Sequence, residues 1–561
     1  MSQPPRALKV LPGPAKEPRK PDPETRVLLI NPWQSYPPWL GNEFQSYLPL
    51  GVAMLAAVVE RAGVQVKIVD CLAHHIVQLA GGKVRFGLQP QQLARQISEF
   101  APHVVGITNP FSSFIDDALA AAKLVKSVDP AIKVVLGGVE PSLVGRNDAL
   151  LRNNPSLDVL VKGEGEVTFS TLIAHFDPAL RGFVDLEQVG GILFRDGDAV
   201  RENASRAFLG SLDDLPLPAY HLLDLDQMFA NPFYARYRGG VAGVRSLPIH
   251  TSRGCPYSCS FCSVHSQVGK AHRRHSTAYV VDHVRHVMDR YGVEHFHFED
   301  DNLTLNPHHA RALFTAIQPL GITWDTPNGV RADTIDPELA ALMKASGARS
   351  VTVAVESGDQ RVLDTIVNKR LDLEDVVKGV SSLRGADIPT VVFFIVGFPG
   401  EREDDVRQTI RFGKRLALEH DTLNLLFVAT PLPGTPLDRE CEANGYFLRE
   451  QNNESLLSAI RLNQTSLIAT PEFTKGRLFE WAKQELDVPE LHTVSRHIPM
   501  FFSRSQTAVQ NFARFLGAEL KGPLRNYWRE PHNNPPPVMG EEAPLRASPS
   551  AAASLAGGAA R

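Results

Sequence analysis

Three of the five cysteines in this 561-residue chain fall within eight positions, as Cys255, Cys259 and Cys262 in the segment SRGCPYSCSFCSVH. A loop with thiols at this spacing can wrap all three around one inorganic centre, and thiolates suit zinc or an iron–sulfur cluster. A structural zinc wants four protein ligands, so zinc here would have to recruit His265, His272 or His275. A four-iron cluster held by three cysteines instead keeps one iron open to a small molecule. The other two cysteines stand apart. Cys71 ends a short apolar run and Cys441 lies in DRECEANGY, positions that suit buried packing, and the count excludes a disulfide framework.

Such a loop needs elements to hold it. Residues 26 to about 170 alternate short apolar runs with helical segments: RVLLINP, LGVAMLAAVVERAG, VKIVDC, a helix near 91–100, HVVGITNP, DDALAAAKLVKSV, KVVLGGV and LDVLVKGEGE. Runs apolar on both faces, separated by amphipathic helices, predict a parallel sheet of five strands covered on both sides. Ligands of such sheets bind at the carboxyl ends of the strands, near the point where strand order reverses. Thr108, Asn109, Ser112, Ser113, Gly137, Gly138, Val139, Gly163 and Glu164 lie at those ends, with Asn31, Asp70, Gly165 and Glu166. Glycines there let a bulky planar ligand approach the backbone, and hydroxyls can bond its polar groups.

From 247 to about 430 a second strand–helix series of six units predicts most of a barrel, its polar loops gathered at the C-terminal strand ends. The cysteine loop follows the first of these strands. Apolar spacings of three and four at Leu478, Trp481, Ala482 and Leu486, and at Val509, Phe512, Leu516 and Leu520, predict helices. The expected organisation is a disordered N-terminus over 1–24, a first domain over 25–185 and a linker over 186–240. A barrel over 241–445, a helical C-terminal domain over 446–528 and a disordered tail over 529–561 follow.

Composition narrows the class. With 58 basic and 62 acidic side chains the formal net charge is −4, which gives no reason to expect a nucleic-acid partner. No stretch of 18 apolar residues is present and the proline-rich start lacks the apolar run of a signal peptide, so a cytoplasmic protein with no membrane partner is expected.

The cysteine motif, read with these elements, resembles the radical S-adenosylmethionine (SAM) superfamily, and specifically its cobalamin-binding class. The family's CxxxCxΦC pattern, with Φ aromatic, is met by Cys255, Cys259, Phe261 and Cys262. The resemblance implies an α/β chain with an N-terminal Rossmann-like (flavodoxin-like) cobalamin-binding domain, a partial (β/α)6 TIM-type radical SAM barrel and a small helical C-terminal domain. It further implies that a [4Fe–4S] cluster on the three cysteines chelates SAM and cleaves it to methionine and a 5′-deoxyadenosyl radical.

On the same resemblance, Glu299 or Asp300 would meet the SAM ammonium. Asn328 and Arg331, with Lys369, would meet its carboxylate or hydroxyls, and Glu356 and Ser357 its ribose or methionine part. The GFPGE segment from Gly397 would lie on the adenine side. Cobalamin is implied by VVGIT, VLGGVEPSL, VKGEGEVTF and YLPLG, so Leu50 and Gly51 join the strand-end residues Thr108, Asn109, Ser112, Ser113, Gly137, Gly138, Val139, Gly163 and Glu164 as its contacts. The DxHxxG signature is absent, because Asp70 is followed by Cys71 and Leu72 with His74 out of position, and no protein histidine below cobalt is expected. Methylthiotransferases of the superfamily need three further upstream cysteines, and only Cys71 is available.

The likeness extends to methyltransferases that alkylate unactivated carbons, including phosphonate C-methylases. It implies methylation of a carbon centre of a small metabolite through methylcobalamin and the 5′-deoxyadenosyl radical, with flavodoxin or ferredoxin as electron donor. The alternative is a cobalamin-dependent cyclase, ring-contraction or oxidation enzyme without methyl transfer. The NPWQSYPPWLG loop near Trp33 to Gly41 and the RHIPMFFSR segment near Phe501 are candidate lids.

Overall fold

The computed structural model describes residues 24–37, 46–74, 77–80, 83–143, 147–177, 184–231, 234, 244–448, 455–456, 466–485 and 500–502. Of the expected disordered ends, residues 1–23 and all of 529–561 lie outside these, as does the stretch 503–528 expected to be helical, with Leu486, Val509, Phe512, Leu516 and Leu520.

Five parallel strands build the first sheet: β1 (Arg26–Asn31), β2 (Gln65–Asp70), β3 (Val104–Asn109), β4 (Lys133–Gly138) and β5 (Val159–Val161). Their order across the sheet is 2-1-3-4-5, a doubly wound, flavodoxin-like arrangement with its switch point between β1 and β3. Alternation explains the all-apolar strands. Leu28 and Ile30 join Val105, Ile107, Val134 and Leu136 in a core against the helix Ile115–Val128. Val27 and Leu29 point the other way, into a second core with the helices Leu50–Arg61 and Glu166–Phe176.

The GILFRDGDAV hairpin, which the sequence places in the connector, extends this sheet. Strand β6 (Ile192–Asp196) adds antiparallel to β5 and β7 (Ala199–Glu202) antiparallel to β6, because Ile192, Leu193 and Phe194 supply the apolar residues that cover the edge of β5. Further along the connector, Tyr220, Leu225 and Met228 are buried in the core of the second sheet, and the Ala219 amide donates to the Ala53 carbonyl of the first domain.

The second sheet runs in sequence order through six parallel strands: β8 (Ser246–Ile249), β9 (His295–Phe298), β10 (Thr323–Val330), β11 (Ala348–Glu356), β12 (Thr390–Val396) and β13 (Leu423–Val428). Among the described residues no pairing joins β8 to β13, so the barrel is partial. Outward residues pack on the helices, where Trp324 stacks on Phe314 at 4.9 Å and meets the edge of Phe298 at 5.4 Å.

Both candidate lids have parts with structural duties. Gln34–Tyr36 is a short strand paired with Lys83–Phe86, and Trp33 and Tyr36 are buried; residues 38–45 lie outside the described residues. Met500–Phe502 forms β14, antiparallel to β13. Of the expected C-terminal helices, Lys475–Glu485 is described: Leu478, Trp481 and Ala482 enter the barrel core, and Glu485 bridges Arg407 and Arg411.

Candidate functional site

The cysteine loop leaves β8 through a short ladder, Ser252–Arg253 against Arg273–Arg274, which closes its base. Gly254 then turns with φ +90°, and a Cβ there would meet the Ala271 carbonyl oxygen at 2.4 Å, so only glycine permits this entry to Cys255. The loop is tied at every step. The Ser260 amide donates to Val367 at 2.9 Å, the Ser260 carbonyl accepts from Leu437 at 2.9 Å, and Asn368 Nδ2 donates to the Ser258 carbonyl at 3.1 Å. His265 Nε2 donates to the Cys255 carbonyl at 2.9 Å.

A mononuclear metal would draw its ligand atoms together. Among the described residues the three sulfurs are not gathered within 4.8 Å of one another. Burial pushes all three thiols up, Cys262 to about 12, so they become thiolates by binding metal rather than by ionising alone.

Around the loop, the residues expected to face SAM divide into two groups. Asp300 accepts from the Thr251 amide at 3.1 Å, the Thr251 hydroxyl at 2.7 Å and the Ser252 hydroxyl, and is buried; it braces the start of the cysteine loop. Ser357 is fully buried with its hydroxyl 2.9 Å from that of Thr409, and Gly358 sits against Phe412. Arg331 uses four of its five donors on Asp333 and on the Lys369 and Arg370 carbonyls, with its guanidinium 3.8 Å over the Tyr257 ring. These three shape the site from behind. Glu299 follows β9 with Oε2 3.7 Å from His250 Nε2, and Asn328 Nδ2 donates to the Glu299 carbonyl at 2.7 Å. Glu356 ends β11 at φ 74° and pairs with buried Lys369 at 2.7 Å. Phe261 packs 6.0 Å from Phe398, beside Gly397, whose amide donates to Glu401 at 2.6 Å. Burial raises the Glu401 carboxyl to about 8.

One cavity of about 360 Å³ lies between the two sheets. Its floor is the carboxyl edge of the first sheet, with Leu50, Gly51, Thr108, Gly137, Gly138, Gly163 and Glu164. It continues past Leu29, Gly106, Val135 and Phe169 into the gap between the sheet and the helices Leu50–Arg61 and Glu166–Phe176. A Cβ on Gly138, at φ +107°, would meet the Asn109 carbonyl oxygen at 2.3 Å, so this rim stays bare backbone. Its opposite wall, from the barrel side, includes His250, Arg253, Gln267, His275, Tyr279 and Asp301. Four expected contacts do not line the cavity. Asn109 braces the turn through Nδ2 on the Phe111 carbonyl at 2.9 Å, Ser112 and Ser113 start the next helix, and Val139 begins a one-turn helix.

Sequence reasoning did not single out His250, Arg253, Gln267 or Tyr279, and considered His275 only as a zinc ligand. Arg253 bridges Glu164 at 3.0 Å and Glu166 at 2.7 Å, and Arg273 bridges Glu164 at 2.8 Å; the guanidinium holds Glu166 below the usual carboxylate range although burial alone would raise it. His275 donates from Nδ1 to Asp213 at 3.2 Å, stacks on Tyr279 at 3.9 Å, and is lowered by burial to about 4. The histidines lining the cavity, His250, His275 and His283, all come from the barrel side; His74 is held by Gln227 at 2.7 Å away from it.

Comparison with known proteins agrees with this architecture. Residues 249–413 match the radical SAM superfamily, and residues 44–173 match the B12 binding domain. The chain is 33% identical over 466 residues to the cytidylyl-2-hydroxyethylphosphonate methyltransferase of Streptomyces wedmorensis, covering 77% of this chain and 85% of that protein. It is 26% identical over 401 residues to an anaerobic magnesium-protoporphyrin IX monomethyl ester cyclase of Cereibacter sphaeroides, covering 70% of this chain and 60% of that one. In fold it is similar to the radical SAM methyltransferase TsrM of Kitasatospora setae, with a TM-score of 0.59 at 18% identity, over 88% of this chain and 91% of that one.

Proposed function

The chain belongs to the cobalamin-dependent radical SAM methyltransferases, and from that premise we propose that it methylates a carbon atom of a small-molecule acceptor between its two sheets. Its cofactors are a [4Fe–4S] cluster, SAM and cobalamin. When bound, these supply one-electron chemistry and a methyl carrier, while the protein contributes position and exclusion of water. The observation that carries the reading is the cavity lined by the glycine rim of the flavodoxin-like sheet on one side and by residues flanking the cysteine loop on the other.

Within it, Cys255, Cys259 and Cys262 hold the cluster. Glu299 is the carboxylate for the SAM ammonium, since the oxygens of Asp300 are spent on Thr251 and Ser252. Asn328, Glu356 and Gly397 shape the rest of the SAM pocket, with Phe261 packed beside the cluster. Leu50, Gly51, Thr108, Gly137, Gly138, Gly163 and Glu164 take the corrinoid with no histidine from the first domain. The phosphonate methyltransferase relative is named for a small acceptor, which supports one here. A low-potential donor such as flavodoxin or ferredoxin supplies electrons.

The test uses reconstituted full-length protein with hydroxocobalamin, a strong reductant, phosphonate and other small acceptors, and methyl-labelled SAM. Each product should carry the label on carbon and be accompanied by one S-adenosylhomocysteine and one 5′-deoxyadenosine. Deoxyadenosine without adenosylhomocysteine or label would replace this reading by cyclisation, ring contraction or oxidation.

A further inference from the structure

The inner face of the barrel carries a polar cluster that the chemistry above does not use. His295 and His297 are two residues apart on β9, and Asp325 stands beside His297 in register on β10. The intervening Phe296, Phe298 and Trp324 point to the outer helices, so the three polar side chains face inward. All three are buried, at 4%, 2% and 9% exposure, and none borders the cavity between the sheets. His295 Nε2 lies 3.2 Å from Asp325 Oδ2 and His297 Nδ1 lies 2.9 Å from Asp325 Oδ1. Among the described residues this is the one group of three or more His, Cys, Asp or Glu whose ligand atoms all fall within 4.8 Å of one another.

We propose that His295, His297 and Asp325 form a binding site for a divalent transition-metal cation of the zinc class, separate from the cysteine loop. Two imidazoles and one carboxylate match the preferences of such an ion, and bonds of about 2.0–2.1 Å in a tetrahedron set ligand atoms roughly 3.3 Å apart, close to the two distances found. The outer contacts point the same way. Thr323 Oγ1 lies 2.8 Å from His295 Nδ1 and 3.3 Å from the Glu294 carbonyl. Donating to the carbonyl, the hydroxyl accepts from Nδ1–H, and that tautomer leaves the bare lone pair of Nε2 facing a carboxylate oxygen. Two electron-rich atoms in that position call for a cation between them. Ser246 on β8 and Ser350 on β11 stand in register with His295 and Asp325 and place hydroxyl-bearing residues at the same level of the sheet. A bound ion would fasten β9 to β10 two residues before Glu299.

The test is made on full-length protein with its cluster reconstituted, so that the three loop cysteines are occupied, then freed of other metal with a chelator and titrated with zinc(II) alone. One zinc per chain should bind, and zinc X-ray absorption should show nitrogen and oxygen neighbours and no sulfur. His297→Gln, which keeps a side-chain donor for Asp325, and Asp325→Asn should each weaken zinc binding at least about 100-fold in competition with a chromophoric chelator. The triple variant Cys255→Ala, Cys259→Ala, Cys262→Ala should keep it. Absence of zinc binding in the unaltered chain, sulfur neighbours at about 2.3 Å, or full affinity in His297→Gln would each overturn the site and leave a hydrogen-bonded triad. Circular dichroism of the variants monitors folding, and the result on the unaltered chain decides the matter if a variant unfolds.

Discussion

Asp300 and Asp301 are adjacent and chemically identical, yet one braces Thr251 and Ser252 while the other accepts from the Gly254 amide at 2.9 Å and borders the cavity. The acidic run was legible in the sequence as a strand-end feature, but the two-residue alternation that assigns faces stops where the strand stops, so the choice of inward carboxylate was not. The cysteines were legible in the sequence as a metal-binding loop, and the family resemblance, rather than the spacing alone, points that loop to a [4Fe–4S] cluster. Cys259→Ala should therefore remove the broad charge-transfer absorbance of the reconstituted protein and abolish SAM cleavage, since no spare cysteine stands nearby; four irons retained in this variant would contradict the ligand assignment. Glu401 makes a different prediction. Burial raises its folded-state carboxyl from 4.5 to about 8, so between these values the folded state binds the proton that the unfolded state has lost. Stability should fall as pH rises through that window, and Glu401→Gln should flatten the slope in denaturant titrations at pH 5, 6.5 and 8.

Strands whose alternate residues feed two cores announce themselves as continuous apolar runs, which is why the parallel strands of the first sheet could be read from the sequence, whereas β9 and β10 of the second alternate polar and apolar residues. The β6–β7 hairpin could be recognised as a hairpin but not placed, because its pairing partner β5 lies some thirty residues upstream and local pattern carries no register across that distance. The turn into the cysteine loop depends on an equally local fact with a distant cause. Gly254 has no room for a Cβ because Ala271, across the short ladder, already occupies the space. Gly254→Ala should cost more than about 2 kcal/mol in denaturant unfolding. Gly385, at the end of the helix Leu373–Gly385 with nothing within 4 Å of where a methyl group would stand, supplies the contrast: Ala there should be neutral or stabilising by up to about 1 kcal/mol. Equal effects at the two positions would remove the steric argument.

The two sheets meet through a buried charged clasp, and this contact belongs to neither half alone. Glu164 and Glu166 come from the end of the first sheet and the helix after it, whereas Arg253 and Arg273 come from the ladder that closes the cysteine loop. Sequence reading could name Glu164 as a strand-end residue, but pairing across nearly ninety positions of chain is a property of the folded whole. The clasp therefore couples the geometry of the glycine rim to that of the cluster loop. Removing one partner of a buried charge pair typically costs about 3–5 kcal/mol because the other charge is left uncompensated. Arg253→Met, which keeps much of the side-chain volume, should leave Glu166 without its ion-pair partner beside the proposed corrinoid floor, while Glu164 keeps Arg273, and weaken hydroxocobalamin binding by at least about tenfold, equivalent to 1.4 kcal/mol. The cysteine ligands are untouched, so iron and sulfide content after reconstitution should stay near that of the unaltered chain. Adding Glu166→Gln removes the stranded charge and should recover part of the lost affinity, a non-additivity that a simple folding defect would not produce. If Arg253→Met bound cobalamin as tightly as the unaltered chain, the clasp would be a surface-like contact with no hold on the cavity.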